Sequence, residues 1–431
     1  MQRYPLRFPP HFIQTAWMML AAFGAYFCTY ALRKPFTTGM YVDQYIGAFS
    51  FKSVLILAQV LGYMLSKVIG IRVISATKKQ SRVFLLASFF GFSLFSLLLF
   101  GLYPGPLQPV FLFLNGLPLG MMYGLIFHYL EGRKITEIVG IALSINLVIT
   151  SGLLKTSYLL LQKSWNLSET WRPFVLGVLA TPLFLLFLWM LTRIPEPTEE
   201  DKKERTERVP MTKSTRKEMM KRMGTGIFLV ATIYTFLTIL RDFRDNFSLE
   251  IWKEQSNQSL DPTLFARYET WIAVVVLFSI GFLSTVRDNI RAFHLNTFLL
   301  LGSCTLLMAS TWLFLQEKLS FSHWYILAGI ALFLPYLLIQ VTFFERLLAL
   351  FQCKGNVGFM VYISDSLGYL GSVLLMFGRE LYADSSLSFT QILTHAFLYL
   401  SILGWLLTLL QFLFFQRKIT DSKKIITPSI S

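Results

Sequence analysis

The chain has 431 residues, 54% of them hydrophobic and 15% charged, where a soluble globular chain carries roughly a quarter charged residues, so a soluble enzyme is excluded and a polytopic helical membrane protein is expected. The formal net charge of +15 would suggest nucleic acid as partner in a soluble protein. Here no nucleic acid is expected, because cytoplasmic loops of helical membrane proteins accumulate Lys and Arg.

Apolar blocks of about 20 residues with few charges match the length a helix needs to cross a hydrocarbon core of roughly 30 Å. In chain order the candidate spans are residues 12–38, 51–71, 82–101, 107–130, 137–161 and 171–193, then 224–247, 264–286, 292–316, 322–344, 357–377 and 388–415. Arg3 and Arg7 precede the first apolar run, but that run is too long for a signal peptide and lacks a small-residue cleavage site. The fold class is therefore an all-α membrane protein of twelve transmembrane helices in two six-helix pseudo-repeats. The domains are an N-terminal bundle (1–193), a linker (194–222) containing EEDKKERTER, a C-terminal bundle (223–418) and a tail (419–431).

With the amino terminus inside, Arg72, Lys78, Lys79, Arg82, Arg133, Lys134 and the linker cluster all fall on the inner side. The positive-inside rule then puts both termini in the cytoplasm, in a plasma or bacterial inner membrane. Trp165, Trp171, Trp252, Trp271 and Trp324 lie near predicted outer span ends, where an aromatic belt is expected. The glycine- and proline-containing set in the fourth span (Asn115, Gly116, Pro118, Gly120, Gly124) and Pro335 in the tenth permit close packing or bending.

The first span reads Tyr26, six residues, Arg33; the seventh reads Tyr234, six residues, Arg241. Residues three, four and seven apart share a helix face, so Tyr26, Thr29, Tyr30 and Arg33 form a polar stripe, with Tyr234, Thr238 and Arg241 as its counterpart. A charged side chain near the bilayer centre costs on the order of 2.5–3.5 kcal/mol even on the mild insertion scale, so such a residue has a partner or a task. Snorkelling to headgroups is the bland alternative, as is local neutralisation of Arg241 by Asp245 at i+4 and by the adjacent Asp242. Other intramembrane charges are Lys67, Lys155, Arg244 and Asp365; Asp365 fits either a proton site or a static partner of Lys155 or an arginine. FHYLEGRK (127–134) and TFFER (342–346) echo one another before the fifth and eleventh spans as candidate latches.

The five histidines are dispersed, and HExxH, P-loop and nucleophile-elbow patterns are missing, so an enzyme is not expected. The three cysteines, Cys28, Cys304 and Cys353, lack CxxC spacing, and no disulfide frame, metal site or cofactor is expected.

Two six-span halves joined by a charged linker resemble the major facilitator superfamily, whose halves are parallel repeats around a central site. Within it, TYALRKPF (29–36), GYMLSKVIG (62–70) and TILRDFRDNFSLEIW (238–252) resemble segments of the organophosphate:phosphate antiporters. The resemblance implies that Arg33 and Arg241 hold a substrate phosphate from opposite halves. It further implies that Lys34 and Lys67 match the family's basic positions, and Tyr26, Tyr30 and Tyr63 its aromatic ones. Where family members carry a histidine in the fifth span, this chain offers Asn146, and the usual acidic residue after the second span is missing from GIRVISATKKQSR (70–82).

The expected function is alternating-access transport of a small organic anion by a monomer in the lipid bilayer. Two guanidinium forks suit a dianion. Two positive charges about 10 Å apart repel by roughly 1.7 kcal/mol at an effective dielectric of 20, and an anion reverses that sign, which favours exchange over leak. Proton-coupled symport through Asp365, Asp242 or Asp245 is one alternative; a membrane sensor that binds the anion without moving it is another.

Overall fold

The computed structural model describes residues 11–76, 79–130, 136–196, 213–256, 260–351, 357–381 and 388–426. Most of the expected linker, residues 131–134 of the first candidate latch and the end of the tail lie outside the described residues.

The fold is almost entirely helical. The first half holds α1 (His11–Arg33), α2 (Phe51–Ala76), α3 (Lys79–Leu102), α4 (Gln108–Phe127), α5 (Thr136–Trp165) and α6 (Arg172–Thr192). The second holds α7 (Lys213–Asn246), the short α8 (Ser248–Gln255), α9 (Leu264–Ser284), α10 (Asn289–Leu315), α11 (Phe321–Leu338), α12 (Phe344–Leu350), α13 (Val357–Leu381) and α14 (Phe389–Ile426). Ten helical stretches among the described residues are long and apolar enough to cross a membrane. The chain divides into two compact units, one of Met1–Glu207 with Asp261–Thr270, the other of Arg208–Leu260 with Trp271–Ser431. The opening turns of α9 thus pack with the first unit.

Several boundaries differ from the hydropathy reading, each for a local reason. Helix α1 ends at Arg33 rather than near residue 38, because Pro35 cannot continue the ladder and starts a 3-10 turn, Pro35–Thr38. A two-residue hairpin follows, pairing Tyr45 with Ser50 and Ile46 with Phe49 around Gly47 at φ +62°. The loop before it is fastened by Glu169, whose carboxylate accepts from Met40 N (3.1 Å) and Tyr41 N (2.9 Å). Burial pushes the Tyr41 phenol well above its ordinary range, with Tyr158 and Glu169 adding to the shift. Past Pro335, which has no N–H to donate, the helix widens into a π-turn, Ile339–Phe343. Of the expected belt tryptophans, Trp165 and Trp271 are exposed, but Trp252 and Trp324 are buried. Trp324 stacks on Phe314 and donates to Thr311 Oγ1 at 3.1 Å, so it is core rather than interface.

Glycine sets the closest helix approach in the first unit. A Cβ on Gly62 would collide with the Phe113 carbonyl oxygen, one on Gly116 with that of Gln59, and one on Gly120 would sit 2.7 Å from that of Tyr63. Helices α2 and α4 therefore lie backbone to backbone, the small-residue contact that works in lipid where burial of apolar surface supplies little drive. In the second unit Gly368 and Gly371 of α13 make room for the side chains of Thr235, Thr238 and Ile239 of α7.

Candidate functional site

In the first unit the close α2–α4 contact fixes Tyr63 beneath the end of α1. The Arg33 guanidinium carbon lies 4.0 Å from the Tyr63 ring centroid and 5.7 Å from that of Tyr30. Lys67 Nζ lies 5.2 Å from the same Tyr63 ring. Two cations thus share one aromatic ring. The arginine's own backbone is held too: Gln59 Nε2 donates to the Arg33 carbonyl at 3.1 Å and to Asn115 Oδ1 at 2.8 Å, and Asn115 Nδ2 donates to the Ser93 carbonyl at 3.0 Å. This buried amide chain ties the end of α1 to α2, α4 and α3. Tyr26 meets Tyr30 edge-on at 5.1 Å and Tyr123 of α4 at 5.2 Å.

The sequence-predicted residues of this unit do not all join that cluster. Arg33, Tyr26, Tyr30, Tyr63 and Lys67 come together. Lys34 is half-buried at the start of the 3-10 turn, where its carbonyl accepts from Thr37 Oγ1 at 2.8 Å. Thr29 leaves the stripe to bond Ala25 O and Met122 Sδ. Asn146, expected as a substrate ligand, spends its amide on the framework: Nδ2 donates to Phe23 O at 2.9 Å, and Oδ1 accepts from Thr150 Oγ1 at 2.5 Å. It is a tie between α5 and α1, because a fully buried amide must satisfy its donors and acceptor locally. Lys155 is buried 5.7 Å from the Phe265 ring. There Thr156 Oγ1 accepts from Ala266 N at 3.1 Å, and Gly152 faces Glu269.

In the second unit Arg241 is seated in the same way on a different ring. Its guanidinium carbon lies 4.1 Å from the Tyr336 centroid. Nη2 and Nε donate to Asp242 Oδ1 at 2.7 and 3.2 Å, and Ser372 Oγ of α13 donates to Asp242 Oδ2 at 3.1 Å. Arg241 Nη1 is buried and makes no hydrogen bond. Tyr234 stacks on Tyr336 at 4.8 Å and donates its hydroxyl to Asp365 Oδ1 at 2.5 Å. Asp365 therefore has a phenol as a partner, and the glycines Gly368 and Gly371 bring α13 close enough for that contact. Asp245 is buried one turn further along α7, with its carbonyl accepting from Ser248 Oγ at 3.1 Å. Arg244 is a separate structural arginine, stacked 3.9 Å over Tyr325 and donating to its carbonyl. Of the second candidate latch, Arg346 Nη1 donates to Asn289 Oδ1 at 3.2 Å.

Sequence reasoning missed Tyr123 and Tyr336. Each is the tyrosine of the fourth helix of its half that meets the tyrosine of the first helix, Tyr26 or Tyr234. The signal was present in the repeat: pairing the halves helix by helix leads from one to the other. Nothing in the local apolar pattern distinguishes them from lipid-facing aromatics.

The six helices of the first unit carry Arg33, Lys52, Lys67, Arg72 and Lys155, yet their only acidic residue is Glu137 in the first turn of α5. In the second unit acids and bases are intermixed, with Asp242, Asp245 and Asp365 near Arg241 and Arg244.

Solved structures similar to this chain are those of transporters. A mutant of the nucleoside transporter NupG matches with a TM-score of 0.63 at 15% identity, covering 93% of this chain and 100% of the other. A D-xylose-proton symporter matches with a TM-score of 0.62 at 14% identity, covering 93% and 97%. A POT family transporter in complex with 5-aminolevulinic acid matches with a TM-score of 0.61 at 13% identity, covering 94% and 96%. These matches establish the major facilitator fold for the chain. No curated protein matches the sequence. The family model that does match spans residues 35–418, and the chain belongs to that family, the family of unknown function DUF5690.

Proposed function

We propose that this protein is an alternating-access secondary transporter of a small organic anion, with an organophosphate exchanged for phosphate as the leading candidate substrate. Arg33 and Arg241 are its principal ligands. Lys67 and Tyr63 complete the first half-site, and Tyr234 with Tyr336 the second. The single observation that carries this reading is the pair of cations, Arg33 and Lys67, on the Tyr63 ring, in a set of six helices whose sequence carries a single acid, Glu137. The buried, unbonded Nη1 of Arg241 supports it from the other half. Both termini face the cytoplasm in this reading, and a monomer suffices.

A second reading, proton-coupled symport, draws on the second unit, where Tyr234 bonds Asp365 and Arg241 bonds Asp242. One experiment separates the two. Proteoliposomes loaded with phosphate are given labelled glycerol phosphate, with and without an imposed proton gradient. Uptake that requires internal phosphate supports exchange. Uptake that follows the gradient with empty vesicles supports symport. No uptake under either condition contradicts the organophosphate assignment.

A further inference from the structure

Helices α7 and α14 of the second unit run antiparallel, and their contacts fix the register between them. Near the end of α7, Phe247 and Phe243 lie 5.0 and 6.4 Å from the Phe389 ring at the start of α14. Near the other end, a Cβ on Gly226 of α7 would collide with the Phe415 ring and touch that of Phe414. Moving one turn outward on each helix brings Arg222 of α7 and Lys418 of α14 to the same level of the pair. Met219, Met223 and Ile419 are buried there, while Lys221, Arg222 and Arg417 are exposed and Lys418 is half-buried. Lys418 Nζ lies 6.0 Å from the Phe414 ring centroid, so its stem runs along apolar surface. Gln416 Oε1 lies 3.0 Å from His294 Nε2, which ties this end of α14 to α10 as well.

The two helix ends are strongly basic: residues 213–223 and 417–426 together carry nine Lys and Arg against two acids, Glu218 and Asp421. On α14 the basic end continues an exposed apolar stripe. Leu403, Leu406, Leu410 and Leu413 are all exposed and stand three or four residues apart, and the next position in that series is Arg417. At 3.6 residues per turn the stripe lies about 60° round α14 from Phe414, beside the α7 contact rather than opposite it. An apolar face bordering lipid thus runs directly into a pair of helix ends where two cations share one level. Like charges so placed repel, and an anion between them reverses the sign. We propose that this end of the α7–α14 pair binds the headgroup of an anionic phospholipid, with Arg222 and Lys418 as headgroup ligands, Arg417 beside them, and the acyl chains along the stripe of residues 403–413. Apolar chains and one negative headgroup on a single molecule match both parts of the surface. A zwitterionic headgroup would bring a further cation against Arg222 and Lys418, so the surface discriminates by charge. Glu218 stands one turn beyond Arg222 on the same face of α7 and limits the attraction. The inference is independent of the substrate reading of Arg33 and Arg241.

The test titrates the purified full chain in detergent with dioleoyl phosphatidylglycerol or dioleoyl phosphatidylcholine and reads bound lipid by native mass spectrometry. Wild type is expected to bind the first phosphatidylglycerol roughly tenfold or more tightly than the first phosphatidylcholine. Arg222→Gln and Lys418→Gln are each expected to weaken phosphatidylglycerol about fivefold, the effect of one cation near an anionic headgroup, and to leave phosphatidylcholine unchanged. Glu218→Gln is expected to tighten phosphatidylglycerol, a gain that a misfolded protein would not show. Lys163→Gln, at an exposed lysine in the last turn of α5, removes the same charge from the first unit and is expected to change nothing. Soluble glycerol phosphate at the lipid's concentration is expected not to displace it, since it brings no chains for the stripe; displacement would make this a soluble-anion site and overturn the lipid assignment. Equal wild-type affinity for the two lipids, a phosphatidylglycerol preference that survives Arg222→Gln combined with Lys418→Gln, or an equal loss in Lys163→Gln would each overturn the proposal.

Discussion

Tyr63 supports two cations on one ring, so its π-face and its hydroxyl can be separated by substitution. Tyr63→Phe keeps the face and is expected to hold anion affinity within about twofold of wild type, while Tyr63→Leu is expected to weaken it by about 0.5–2 kcal/mol, the range for a cation seated on an aromatic ring. Titration of the anion against both variants checks this. Lys67→Gln should weaken binding in the same direction and reduce its salt sensitivity, since one of the two positive charges is gone. The arginines and the first-helix tyrosines were legible in the sequence because intramembrane charge is expensive and therefore rare. The geometry of Arg241 was not. Helix periodicity favours a partner four residues away, Asp245, because adjacent residues point in different directions. The structure pairs Arg241 with Asp242 instead. A long side chain that folds back along its own helix is invisible to a rule based on Cβ spacing. Asn146 shows the converse: its position matched a family ligand, but its amide is consumed by Phe23 and Thr150.

Helix pairing decides whether these side chains can meet. The α2–α4 contact through Gly62, Gly116 and Gly120 places the Tyr63 backbone, so a larger residue there should disturb the site without touching it. Gly120→Val is expected to destabilise the first unit by about 1–3 kcal/mol, the usual cost of overpacking, and to weaken anion binding as well. Thermal unfolding in detergent together with anion titration reads both effects. Gly224, whose Cβ would meet only the Met220 side chain at ordinary contact distance, should accept alanine with no such loss. At this scale the sequence was a good guide to which segments are helical and a poor one to where they stop. Hydropathy carried the first span past Arg33, but Pro35 ends it. It started the seventh span at residue 224, yet α7 begins at Lys213, because a helix can continue into water once its apolar part has formed. The short α8 escaped notice for the same reason: its eight residues are too few and too polar to register as a span. Trp252 and Trp324 were misassigned to the interface since burial in a bundle and burial at a headgroup belt leave the same residue in the sequence.

The whole molecule is two helical units of unlike charge character joined through a basic, polar stretch. The first concentrates cations on six helices that carry a single acid, Glu137; the second intermixes carboxylates with its arginines. The proposed topology rests on the same charges: reporters fused to either terminus, and a cysteine introduced at Ser75 near the end of α2, should be accessible from the cytoplasmic side, while a cysteine at Tyr103 should react from the opposite side. Reaction of the Tyr103 position from the cytoplasm would invert the assignment. The measurement that tests the central claim most directly is a double-mutant cycle on anion exchange in proteoliposomes, comparing wild type, Arg33→Ala, Arg241→Ala and the double variant. If both guanidinium groups hold one anion, each single change should lower exchange by roughly 30-fold or more, corresponding to about 2 kcal/mol or more for a desolvated charge contact, and the double variant should be little worse than either. Exchange at the wild-type rate in both single variants, or losses that simply add, would contradict a shared anion.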